Sequence, residues 1–281
     1  MKKTALLCII LLMALSGCGD ENYGLPSSGN GAYNIESEPS FSPDREYIYF
    51  TVADTARNIN SGLYRASAGA PIREKILPGR DYRSPVINFD NNTLACLNEG
   101  RIRYYRISDG QEMASTVTDS FASIVFIREN VLVACRSDSL FSVNELAGVA
   151  SFVRTGWDPA FYTRDTLVCL DGADDEYAVL KIDAGNVRAD TIFTLTTNAR
   201  PRWASVLPDG NRLGYTIEFG PQKFIYVGNM QTGDFIFIDS SDYPKSLILN
   251  LNQIIFTGPD GRFFQSDLEG KTSVPYVHVE G

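Results

Sequence analysis

Few residues of this sequence have the types and spacing that catalysis requires. The chain of 281 residues contains a single histidine, His278, so a metal site with several histidine ligands cannot be built from it. No Gly-x-Ser-x-Gly elbow accompanies this histidine to indicate a Ser-His-Asp triad. We therefore predict no catalytic residue, and we expect His278 on the exposed face of the last strand.

The densest group of carboxylates lies in segment 171–176. Asp171, Asp174, Asp175 and Glu176 are its four acidic residues. They are the candidate metal ligands, because hard cations such as Ca²⁺ bind several oxygen atoms at once. The spacing differs from that of an EF-hand loop, however, and a solvated hairpin turn explains the segment more simply. We predict no metal and no cofactor.

Trp157 and Trp203 are the two tryptophans, and each stands near the start of an apolar segment. An exposed indole could stack on a sugar or anchor a peptide, so both residues are candidates for binding a ligand or partner. Their positions favour packing in the core or at the mouth of a channel.

The N-terminus has the features of an export signal. Lys2 and Lys3 precede an apolar run at 5–15, which is too short to span a bilayer as a helix. The run ends in Leu-Ser-Gly-Cys at 15–18, which resembles the lipobox of bacterial lipoproteins. We predict a signal peptide at 1–17, acylation of Cys18, a flexible tether at 18–32 and membrane attachment through the acyl chains. The alternative is an ordinary signal peptide with a chance cysteine.

Charge and the residues after Cys18 indicate the destination of the chain. Gly19 stands where aspartate marks inner-membrane retention in enterobacterial lipoproteins, so this resemblance implies the outer membrane. Asp20 and Glu21 resemble the acidic tract of some surface-exposed lipoproteins, which leaves the periplasmic and surface-facing sides both open. The net charge of −9 repels phosphate backbones, so nucleic acid is not an expected partner.

Three cysteines remain outside the leader and anchor. Cys96, Cys135 and Cys169 each lie in a short apolar run, and they are separated by similar intervals. We interpret them as equivalent positions in successive repeats, too far apart for a disulfide. They are expected to be reduced, buried thiols.

Similar units recur along the chain. Segments 39–50 and 85–96 align without gaps, and related units follow near 121, 157, 201 and 247. Each unit holds several short apolar runs separated by turn residues such as Asp-Gly and Pro-Asp. A period of roughly forty residues with several strands per unit is typical of a β-propeller. We predict an all-β fold with a single propeller at 33–281, of six blades, with seven as the alternative count.

The first unit, Pro39–Phe50, resembles the blade motif of TolB-like propellers, Pro-x-aromatic-Ser-Pro-Asp-Gly followed by a hydrophobic strand. Arg45 occupies the position of the motif's glycine. The resemblance implies a protein-binding role in the cell envelope, with partners of unknown identity. A surface receptor for a glycan or small ligand is the second hypothesis, and a propeller lyase or hydrolase is the third.

Overall fold

The computed structural model describes residues 34–55, 58–67, 72–116, 120–144, 150–183, 188–207, 209–241, 243, 247–250, 253–258, 260–276 and 279–280. All of them lie in one compact unit, Tyr33–Gly281. These residues form strands and turns, and no helix that could cross a membrane is present among them. The predicted signal peptide, Cys18, the tether and His278 lie outside the described residues.

Twenty-five strands form six sheets, one for each blade. Blade 1 contains β1 (Asn34–Phe41), β2 (Tyr47–Asp54), β3 (Gly62–Ser67) and β4 (Ile72–Pro78). Blade 2 contains β5 (Arg83–Ile87), β6 (Thr93–Asn98), β7 (Arg101–Arg106) and β8 (Glu112–Ser115). Blade 3 contains β9 (Ser123–Arg128), β10 (Val131–Arg136), β11 (Ser139–Asn144) and β12 (Ala150–Thr155).

The second half of the chain continues the pattern. Blade 4 contains β13 (Trp157–Thr163), β14 (Thr166–Ala173), β15 (Glu176–Asp183) and β16 (Ala189–Thr196). Blade 5 contains β17 (Pro201–Val206), β18 (Arg212–Phe219), β19 (Gln222–Asn229) and β20 (Asp234–Ser241). Blade 6 contains β21 (Leu247–Asn250), β22 (Gln253–Thr257), β23 (Phe263–Asp267) and β24 (Ser273–Pro275), and β25 (Val279–Glu280) follows it.

The six sheets are arranged as a ring. Within each blade the four strands pair antiparallel in chain order, and the first strand of each blade contacts the first strands of its neighbours. The first strands therefore surround a central channel. The predicted six-bladed, all-β propeller is confirmed.

The last described strands belong to different blades. Blade 6 ends with β24, and β25 pairs parallel with β4 as a fifth strand of blade 1. The expected position of His278 on the exposed face of a last strand stays a prediction, because His278 lies outside the described residues.

Both faces of each blade are covered by neighbouring blades, which explains the unbroken apolar runs. In β6 the five residues Thr93–Leu97 are all buried. The three cysteines occupy β6, β10 and β14, the second strands of blades 2, 3 and 4, and all are buried and free, as predicted. Burial raises the pKa of the Cys169 thiol to about 12, so this thiol is protonated at neutral pH.

The ring closes between blades 6 and 1 around the buried side chain of Glu36. One carboxylate oxygen accepts a hydrogen bond from the Phe263 N–H at 3.1 Å, and the other lies 3.2 Å from Arg73. The backbone N–H of Glu36 also donates a hydrogen bond to the carbonyl oxygen of Gly261 in blade 6. Burial raises the pKa of Glu36, although the Phe263 amide and Arg73 both favour its ionised form. This carboxylate therefore joins the first blade to the last.

Removal of Glu36 tests its role in closure. We expect Glu36→Ala to lower the free energy of unfolding by about 3–5 kcal/mol, because Arg73 and the Phe263 amide would lose a buried partner. The matched control is Glu74→Ala, also in blade 1, whose ion pair with Arg65 is exposed and is expected to contribute less than about 1 kcal/mol. Urea unfolding followed by circular dichroism measures both. Equal losses in the two variants would contradict this role of Glu36.

Candidate functional site

A cavity lies in the central channel, between the first strands of blades 1 to 5. It measures about 90 Å³. A single water needs about 10–15 Å³ by this measure, so the cavity can hold several waters or a small functional group. The polar and aromatic residues that line it are Ser40, Phe41, Ser42, Arg45, Asp158, Phe161, Trp203 and Ser205.

A β-bulge recurs on four of the first strands. The register shifts at Glu38, Ser84, Asp158 and Trp203, and each of these residues has a φ between 49° and 55°. This left-handed conformation is uncommon for residues other than glycine and is maintained by surrounding contacts. In a bulge the extra residue leaves the ladder, so its backbone N–H needs another partner.

For two of these residues, Ser84 and Trp203, a side chain of the preceding blade supplies that partner. The Ser84 N–H donates to the buried carboxylate of Glu38, which joins blade 1 to blade 2. The Ser84 hydroxyl then accepts from the Ile124 N–H of blade 3 at 3.1 Å. In the same way the Trp203 N–H of blade 5 donates to the carboxylate of Asp158 in blade 4 at 3.0 Å. These bonds set the positions of the channel-lining strands.

Asp158 also has a charged partner. The Arg202 guanidinium contacts both of its carboxylate oxygens, at 2.6 and 3.2 Å, and stacks on the Trp203 ring with 4.8 Å between Cζ and the ring centroid. The Asp158 side chain is 2% exposed. Its negative charge is therefore neutralised from within the wall of the channel.

Two hydrogen-bond donors at the cavity lack a partner among the described residues. The Trp203 indole is 8% exposed, and its Nε1 is buried without an acceptor. One terminal nitrogen of Arg45, Nη1, is likewise buried without an acceptor. Burial lowers the pKa of the Arg45 guanidinium, and no carboxylate opposes this effect. Buried donors are usually paired, and these two lie at the same cavity.

Aromatic side chains surround one mouth of the channel. Phe41, Phe89 and Phe161 come from blades 1, 2 and 4, and they line a shallow cavity that shares residues with the central one. The rings of Phe89 and Phe161 meet edge to face, 5.7 Å apart. We call these three residues the aromatic collar. It gives the approach to the cavity an apolar wall.

The other tryptophan has a structural environment. Trp157 is buried, and its Nε1 donates to the carbonyl of Pro201 at 3.0 Å. The Arg200 guanidinium covers the ring at 3.9 Å from its centroid. Of the two candidate binding residues, Trp203 alone lines the cavity, and a binding role for either one stays a prediction.

The four acidic candidates do not converge on one point. Asp174 and Asp175 are the central residues of the β14–β15 turn, with φ of 53° and 69°, as in a type I′ hairpin. Asp171 pairs with Arg154 at 3.3 Å. In the part of the chain that the structure describes, no three His, Cys, Asp or Glu residues are grouped as a metal site.

A second, larger cavity of about 380 Å³ lies between blades 1 and 2. Asp54 and Glu38 line it, and both carboxylates accept backbone N–H bonds, from Asn60 and Ser84 respectively. These two carboxylates are thus engaged by the fold, in contrast to the two unpaired donors of the channel.

Sequence reasoning missed Glu38, Asp158 and Arg202 as channel residues. Glu38, Ser84 and Asp158 each directly precede a proline, and this recurrence was the available signal. Arg45 was visible as a departure from the blade motif, but the motif alone did not indicate that its side chain reaches the channel.

Comparison with known proteins identifies the fold. No protein-family model matches the chain, and no curated protein matches it. Among solved structures, hydrazine synthase from Kuenenia stuttgartiensis is 13% identical with a TM-score of 0.54, over 87% of this chain and 80% of that one. A TolB-type protein from Agrobacterium tumefaciens is 10% identical with a TM-score of 0.54, over 73% of this chain and 83% of that one.

The fold is a six-bladed β-propeller similar to that of TolB. An oligogalacturonate lyase from Vibrio parahaemolyticus is also similar, with 12% identity and a TM-score of 0.52 over 89% of this chain and 80% of that one. At these identities the likeness concerns the fold alone. Because a synthase and a lyase share it with TolB, the TolB-like propeller does not by itself decide between catalysis and binding.

Removal of the Asp158 carboxylate tests the link between blades 4 and 5. We expect Asp158→Ala to lower the free energy of unfolding by about 2–3 kcal/mol, since Arg202 and the Trp203 amide would lose their acceptor. The matched control is Asp138→Ala, whose carboxylate pairs with Arg200 at the surface and is expected to contribute less than about 1 kcal/mol. Urea unfolding followed by tryptophan fluorescence measures both. An unchanged stability in Asp158→Ala would refute the link.

Proposed function

We propose that this chain is a lipid-anchored protein of the bacterial cell envelope that acts as a non-catalytic scaffold for binding other proteins. The observation that supports this function is an exposed aromatic surface on β18, β19 and β20 of blade 5. Phe219 and Phe237 are 41% and 43% exposed, and Phe224 lies between them with ring centroids 5.8 and 6.2 Å away. We call these three residues the blade 5 patch.

The composition of the blade 5 patch suits a protein partner. Contiguous exposed apolar surface marks interaction sites, and phenylalanine is enriched at the centres of protein interfaces. A glycan receptor would instead present indole faces for sugar stacking, and both tryptophans of this chain are buried. The patch therefore favours the scaffold over the receptor.

The anchor and location complete the proposal. Acyl chains on Cys18 would hold the propeller at the outer membrane, and the tether at 18–32 would let it reach partners at a distance. The partners are envelope proteins with an apolar surface that complements the patch. The excess of acidic side chains argues against nucleic acid as a partner.

Substitution of the patch tests the scaffold. Phe219→Ser combined with Phe237→Ser is expected to abolish capture of at least one envelope protein by the crosslinked full-length lipoprotein, as identified by mass spectrometry. Stability should change little, because both side chains are already substantially exposed. Phe152→Ser, at an exposed phenylalanine of blade 3, is the matched control and should retain the captured proteins. Identical captured sets in both variants would argue against the patch as the interface.

Metabolic labelling tests the anchor. Radiolabelled palmitate is expected to enter the wild-type chain and to be absent from Cys18→Ala, because the thiol forms the thioether to the lipid. Cys8→Ala is the control and should still be labelled, since this cysteine lies within the predicted signal peptide. Equal labelling of wild type and Cys18→Ala would remove the anchor from the proposal.

A further inference from the structure

The two unpaired donors of the central cavity differ in charge, but both can donate a hydrogen bond to an oxygen acceptor. Trp203 offers a neutral N–H, and Arg45 offers a charged one, and both residues line the same 90 Å³ space. A buried donor without a partner loses its hydrogen bonds to water, so a site with two of them favours any ligand that can accept both.

The carboxylates nearest to the cavity are already engaged. Asp158 accepts from Arg202 and from the Trp203 backbone. Asp44, the neighbour of Arg45, accepts from the Ser42 hydroxyl at 2.6 Å, from the Glu46 N–H and from the Asn91 side chain. Neither carboxylate forms an ion pair with Arg45 in the described part of the chain, and the Arg45 guanidinium lies over the Phe41 ring, 5.5 Å from its centroid, where it brings a positive charge to the cavity.

We propose that the central cavity binds a carboxylate group, with Arg45 and the Trp203 indole N–H as its hydrogen-bond donors. A carboxylate is a monoanion with two acceptor oxygens, which matches one guanidinium and one neutral donor. The aromatic collar supplies an apolar surface for the remainder of the ligand. This site lies in the channel, whereas the proposed scaffold uses the blade 5 patch, so the two proposals can be tested separately.

The carboxylate could belong to a small organic acid or to the C-terminus of a polypeptide that enters the channel. The probes therefore include both. Propionate and phenylacetate represent small acids, and propionamide is the uncharged control. A Gly-Gly-Phe tripeptide with a free C-terminus represents a polypeptide end, and its amidated form is the control.

Titration of the full-length lipoprotein in detergent, by calorimetry and tryptophan fluorescence, is the experiment. Saturable binding of a carboxylate probe, absent for its amide, is the expected result. Tighter binding of the free tripeptide than of either small acid would assign the site to polypeptide ends, and the reverse order would assign it to small acids.

Substitutions of Arg45 and Trp203 test whether these residues donate the hydrogen bonds to the carboxylate. Arg45 has a φ of 61° at the motif's glycine position, so Arg45→Gly should fold without backbone strain. It is expected to weaken carboxylate binding about tenfold or more through loss of a charged hydrogen bond. Arg45→Lys should retain most of the affinity, and Trp203→Phe should weaken binding and remove the fluorescence response. Asn130→Gly, at a turn residue with a φ of 60° outside the cavity, is the matched control and should bind like wild type.

Three results would overturn the proposal. They are the absence of saturable binding by every carboxylate, equal binding of acids and amides, and wild-type affinity in Arg45→Gly. The first would mean that the cavity holds only solvent, the second that it does not recognise the carboxylate charge, and the third that Arg45 is not the donor.

Discussion

The structure depends on hydrogen bonds from the backbone of one blade to a buried acidic or hydroxyl side chain of the blade before it. Each blade has two apolar faces, so it is stable only between neighbours, and the first strands must approach one another closely around the axis. At the bulges this approach leaves backbone N–H groups outside the ladder. Glu38 and Asp158 accept from such groups at Ser84 and Trp203, and Ser84 accepts from the Ile124 N–H of the next blade. Where the ring closes, Glu36 of blade 1 accepts from the Phe263 N–H of blade 6. A carboxylate is costly to bury unless it is paired, so these side chains and the bulges depend on each other.

The same constraint shapes the channel. A bulge turns one residue of the first strand out of register, and in blade 5 that residue is Trp203. Its backbone N–H is used by Asp158, while its indole N–H remains at the cavity. The bulge that links blades 4 and 5 thus also places at the cavity an indole N–H that has no acceptor among the described residues. The structural role and the proposed binding role belong to different atoms of one residue.

The architecture was predictable because the sequence features that indicate it recur in successive blades. Apolar runs around Cys96, Cys135 and Cys169 recur at the second strand of three successive blades. Aspartates such as Asp44, which caps its own turn through the Glu46 N–H, mark the hairpins. The channel residues were not predictable in this way. Asp158 works only in combination with Arg202 and Trp203, more than forty positions later, and a single sequence carries no sign of that pairing. The position of β25 was missed for a similar reason, since a two-residue strand has no periodicity, and its partner β4 lies at the other end of the chain.

The placement of β25 gives the ring a defined starting point. Blade 1 contains both the first described strand of the chain, on its inner side, and the last, on its outer side. Among the described strands, the outer edges of the other five blades carry no further strand, whereas Ile72 and Arg73 at the start of β4 are already paired with β25. A partner that adds a strand to a blade would therefore meet five edges without an added strand and one that is partly covered. Blade 1 therefore differs from the other five blades, and a partner could distinguish it from them by its outer edge.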